Sequence, residues 1–149
     1  MKPAAWIGLG LGALAVAAAG AWLFVSREMR IDPKDAAAVA RGERVYAKHC
    51  ATCHGGDLEG QPDWQSRNAQ GRLPAPPHDE HGHTWHHDDT VLFEVTKFGL
   101  ARHAPPGYQS DMPAFGGTLT DRDIVDVLAF IKSRWPALIL DKRREAGMN

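Results

Sequence analysis

Two thiols three residues apart, followed at once by an imidazole, constrain this chain more than any other feature: Cys50-Ala51-Thr52-Cys53-His54. These are the only two cysteines among 149 residues, so a disulfide-dense scaffold and a four-cysteine zinc or iron–sulfur site are both excluded. A thioredoxin-like C-x-x-C sits beside a βαβ pattern, and none is present. Zinc would need a second pair of ligands at fixed spacing, which the sequence lacks. C-x-x-C-H is the spacing of covalent c-type haem attachment. On a helical turn, thiols at i and i+3 can reach the two vinyl groups on one porphyrin edge. His54 then turns its imidazole toward the iron.

The surrounding pattern is helical. A first helix is predicted over Pro33–Cys50, with Asp32 as its cap and Pro33 at its first position. Gly42, Tyr46 and Cys50 recur every fourth residue and share one face. A last helix is predicted between Thr120 and Trp135. Thr120 and Asp123 form a capping-box variant, and Pro136 ends the run. Ile124, Leu128, Ile131 and Trp135 follow the spacing of a buried stripe, which Val127 and Phe130 widen. A middle helix is predicted over Asp88–Phe98 with Gly99 as its stop, although its β-branched residues leave a strand open. Residues 55–77 and 101–118 show no periodicity. Loops this long argue against a compact domain unless they wrap something that replaces a core.

A haem iron needs a second axial ligand or an open sixth position. Of the four methionines, Met1 is the start, Met29 adjoins the apolar N-terminus and Met148 lies in the charged tail. Met112, in Ser110-Asp111-Met112-Pro113, is the candidate ligand. His103 is its competitor.

With these features in view, the chain resembles class I cytochrome c over roughly Asp35 to Trp135. The resemblance rests on the C-x-x-C-H of an N-terminal helix, Gly42 and Tyr46 upstream, Met112-Pro113 downstream and Phe130 on the last helix. It implies an all-α, cytochrome c-like domain of three or more helices around one covalent haem c, with Cys50 and Cys53 as thioethers and His54 and Met112 as axial ligands. It further implies that Gly42 permits close approach and that Tyr46 meets Val127, Phe130 or Ile131. A proline carbonyl would accept the proximal histidine's N–H; Pro74, Pro76 and Pro77 are candidates, with Pro76 and Pro77 preferred. Trp85 or a nearby histidine would bond a haem propionate. The implied role is single-electron transfer between a redox-protein donor and acceptor, with no catalytic residue.

The N-terminus adds a compartment. Pro3–Val25 carries no charge, and 23 residues of helix at about 1.5 Å each span the roughly 30 Å of a hydrocarbon core. Trp6 and Trp22 stand near its ends, where interfaces favour them. Residues 1–31 are therefore expected to be a transmembrane anchor and short linker, in preference to a cleaved signal peptide. Residues 32–149 are the haem domain. Haem attachment outside the bacterial inner membrane implies a single-pass protein with its domain in the periplasm. It could dock there on a membrane oxidase or dehydrogenase complex. From Asp32 onward 14 basic and 17 acidic residues leave a net charge of −3, which argues against a nucleic-acid partner.

Two features sit outside this frame. His78, His81, His83, His86 and His87 fall within ten residues. They read either as a scaffold whose members line the haem edge, the preferred reading, or as a copper or zinc site. The run Asp141–Glu145 reads as a solvated end. The alternatives to a carrier are a haem enzyme or sensor with an open sixth site and a copper-linked protein using the histidine loop.

Overall fold

The computed structural model describes residues 30–148, and from Ile31 onward they form one compact unit. Helix α1 spans Ala36–His49 and α2 Ala51–His54. After a long loop, a single 3₁₀ turn at Thr84–His86 precedes α3, Asp89–Phe98. A second turn at Leu100–Arg102 and another loop lead to α4, Asp121–Ser133, and α5, Ala137–Glu145. The described residues contain no strand.

Helix α1 starts later than its sequence suggested. Asp35 is its cap, with Oδ1 accepting from the N–H groups of Ala37 and Ala38 at 3.0 and 3.1 Å. Asp32 instead closes the preceding turn, accepting from Lys34 N–H at 2.9 Å. Pro33 therefore lies in that turn and not in the helix. The two ends of α3 and the start of α4 match expectation. Asp88 accepts from Val91 N–H to begin α3, and Gly99, at φ 79°, ends it. Thr120 and Asp123 form a reciprocal capping box at the start of α4.

The core is the crossing of α1 and α4. A Cβ on Gly42 would overlap the Asp126 carbonyl oxygen and approach Phe130 Cβ to 2.9 Å. Only glycine allows these backbones to meet. One turn on, the Tyr46 and Phe130 rings lie 5.3 Å apart. Every residue of α4 from Ile124 to Lys132 is buried, including two charged ones, which demand partners. Asp126 accepts from Arg41 at 2.6 and 3.0 Å and from Arg122 at 3.0 Å. Lys132 donates to Asp89 at 2.6 Å and to the Ile31 carbonyl at 3.2 Å.

The tail is solvated as expected at Asp141, Lys142, Arg144 and Glu145, and departs from that only at Arg143. Charged residues 141–145 belong to α5, where Ile139 is buried and Arg143 is 1% exposed. Arg143 donates to Asp89 and Met148 O at 2.7 Å each, and to the carbonyls of Trp85 and His87. A charge run reads as solvated only while its partners, more than fifty residues away, are unknown. Ile31 is buried in the domain. No helix among the described residues is long and apolar enough to cross a membrane. The expected span at 3–25 lies outside the described residues.

Candidate haem site

Cys50 ends α1 and caps α2, so the motif occupies the break between two helices. Cys53 is exposed and Cys50 is half-buried, where burial pushes its thiol up to about 11. Tyr46 secures the chain just after the motif. Its hydroxyl donates to the carbonyls of Gly55 at 2.9 Å and His54 at 3.3 Å.

His54 is buried, and burial holds its imidazole below the usual range, partly offset by a bond from Nδ1 to the Pro76 carbonyl at 2.9 Å. A carbonyl can only accept, so Nδ1 carries the proton and Nε2 keeps its lone pair. That neutral tautomer is the one that ligates a metal, and a second bond at Nδ1 orients it. Of the three candidate prolines, Pro76 supplies the carbonyl.

The far loop is anchored but half-open. Met112 is half-buried, with its N–H donating to Ser110 Oγ at 3.1 Å. Beyond it, the N–H groups of Phe115 and Gly116 donate to the Thr96 and Lys97 carbonyls at 3.0 and 2.9 Å, docking the loop on the end of α3. Asp111, next to Met112, pairs with Arg72 on the opposite loop. His103, the competing ligand, is exposed and engaged with Glu94 at 3.0 Å.

The histidine loop is packed pairwise. His83 stacks on Trp64 with centroids 5.4 Å apart and meets His87 edge-on at 5.5 Å. His86 stacks on Trp85 at 3.7 Å. Among the described residues no three His, Cys, Asp or Glu side chains are grouped to hold a metal ion. Trp85 donates its indole N–H to the Glu80 carbonyl at 3.3 Å. His78 lies apart from its neighbours, against His54.

The residues present fit a haem. His54 has the metal-binding tautomer. Arg72 Nε is buried without a hydrogen-bond partner in the protein, while its Nη1 pairs with Asp111, and such an orphaned donor suits an anionic group. Sequence reasoning missed Arg72 and the Tyr46 hydroxyl's role, because neither carries a motif.

A helical domain with a C-x-x-C-H at a helix break and an oriented histidine defines a c-type haem protein. Residues 39–135 match the family model for cytochrome c, and the chain belongs to that family. No curated protein and no solved structure matches it. Membership implies a covalently attached haem c, haem-based electron transfer and redox-protein partners; proteins of this family are generally electron carriers.

Proposed function

We propose that this is a class I, single-haem cytochrome c, anchored by residues 3–25 in the bacterial inner membrane, carrying single electrons on the periplasmic side. Bound haem supplies an iron that alternates between ferrous and ferric. Cys50 and Cys53 would hold the haem covalently, and His54 and Met112 would ligate its iron. A thioether favours ferrous iron and raises the potential relative to a second imidazole. Arg72 stands ready for a propionate. The donor and acceptor are redox proteins, one of them a membrane oxidase or dehydrogenase complex to which the anchor keeps the domain close.

The observation that carries this reading is the bond from His54 Nδ1 to Pro76 O, which reserves Nε2 for a metal. The test is a potentiometric titration of the haem-loaded full chain with carbon monoxide added to the reduced form. A single one-electron wave and slow, weak carbon monoxide binding are expected. Rapid, tight binding would replace the carrier with an enzyme or sensor. For the anchor, retention in the membrane after alkaline extraction is expected; release into the wash would refute it.

A further inference from the structure

His78 is the member of the histidine run that the carrier function leaves unexplained. Its ring lies parallel to that of His54, with centroids 3.9 Å apart and planes 20° apart. This is a face-to-face contact between the ligand's imidazole and a second one. His78 is itself held on several sides. Its Nδ1 shares a hydrogen bond of 2.7 Å with Thr84 Oγ1, and Thr84 is buried. Its N–H donates to the Leu58 carbonyl at 2.7 Å, and its carbonyl accepts from Trp135 Nε1 at 2.7 Å. Tyr46 meets the ring edge-on at 6.4 Å. Behind it Pro77 is fixed by Gly82, where a Cβ would overlap the Pro77 carbonyl.

We propose that Pro76-Pro77-His78 is a two-point clamp on the axial ligand, in which the Pro76 carbonyl fixes the direction of His54 Nδ1 and the His78 ring fixes the plane of its imidazole. The inference rests on the reading of His54 as an iron ligand. The hydrogen bond alone leaves the ring free to rock about the Nδ1···O line. A flat neighbour at van der Waals distance removes that freedom, and it stays flat because Thr84 locks its own rotation. His78 is thus a positioning residue. It sets the orientation of the axial imidazole, and that orientation sets the splitting of the iron d-orbitals and hence the ferric g-values.

The test is low-temperature electron paramagnetic resonance of the haem-loaded ferric full chain, comparing wild type with His78→Leu, His78→Phe and Thr84→Val. His78→Leu keeps approximate volume and removes the flat face, so its g-values are expected to shift and broaden. His78→Phe restores the face and is expected to return toward wild type. Thr84→Val leaves the stack but frees its rotation, and a smaller shift is expected. Unchanged g-values in His78→Leu, or a Phe variant that matches Leu, would overturn the clamp. If His78→Leu fails to take up haem, Thr84→Val decides, with a shift supporting the clamp and wild-type values overturning it. The ligand reading is tested by itself with His54→Ala: loss of the wild-type ferric signal in that variant is expected, and a signal unchanged from wild type would remove the ligand reading before any His78 variant is compared.

Discussion

The crossing of α1 and α4 and the two loops facing the motif are built on opposite terms. At the crossing, protein answers protein. Gly42 meets backbone, Tyr46 meets Phe130 and Asp126 meets Arg41; outside the crossing, Lys132 and Arg143 likewise find partners within the fold. Arg143 Nε alone lacks a hydrogen bond there, and its guanidinium lies over the Trp135 ring at 5.1 Å, where a cation–π contact serves in its place. In residues 55–77 and 103–118 the accounts stay open. Met112 is half-buried, Arg72 Nε has no partner, and buried apolar side chains are few. The first region is a core; on the proposed reading, the second is the lining of one that a haem completes.

The strongest way to break that contrast is to withhold the haem. With Cys50→Ala and Cys53→Ala together, the loops are expected to lose hydrogen-exchange protection at the Gln61 and Phe115 amides. These now bond to the Ala75 and Thr96 carbonyls. Protected amides in the haem-free chain would mean that the loops have a core of their own.

The next largest effect falls on the buried charges. Asp89→Asn leaves Lys132 and Arg143, 2% and 1% exposed, without their carboxylate. A loss of about 3–5 kcal/mol is expected by denaturant titration. Asp126→Asn should cost less, because Arg41 and Arg122 are each more than a third exposed and can turn to water. Equal losses would contradict this ranking. Gly42→Ala forces the crossing helices apart and should cost about 1–3 kcal/mol in the same titration. Smallest is Tyr46→Phe, which removes two hydrogen bonds and keeps the ring packing; about 1 kcal/mol is expected. Little change in the absorption spectrum should accompany it. A large spectral change with no loss of stability would move Tyr46 from the crossing to the site.

What could be read from the sequence was local. The C-x-x-C-H, the capping box of Thr120 and Asp123, the Gly99 stop and the Gly42–Tyr46 face each lie within one helical turn or one turn of loop. The Pro76 carbonyl was narrowed to a pair by resemblance and fixed only by geometry. Of the contacts that join distant segments, the resemblance implied the one between Tyr46 and Phe130; the others could not be read. Arg143 is buried because Asp89 and the carbonyls of Trp85 and His87 lie beneath it, and nothing in residues 141–145 announces them. The His78 face on His54 spans 24 positions and hid among four other histidines. The cap at Asp35 was missed for a different reason: Asp32 offers equivalent chemistry three residues earlier, and only the intervening turn decides between them.

The proposed closed haem, with His54 and Met112 as its ligand pair, is open to direct test. Its most direct test is the near-infrared edge of the ferric visible spectrum of the full-length, haem-loaded chain, where a methionine-to-iron charge-transfer band appears only with thioether ligation. The band is predicted in the wild type and absent in Met112→Ala, whose folding is confirmed by its melting transition. A band that survives in Met112→Ala, or a wild type that lacks it and binds added cyanide at once, would contradict the account.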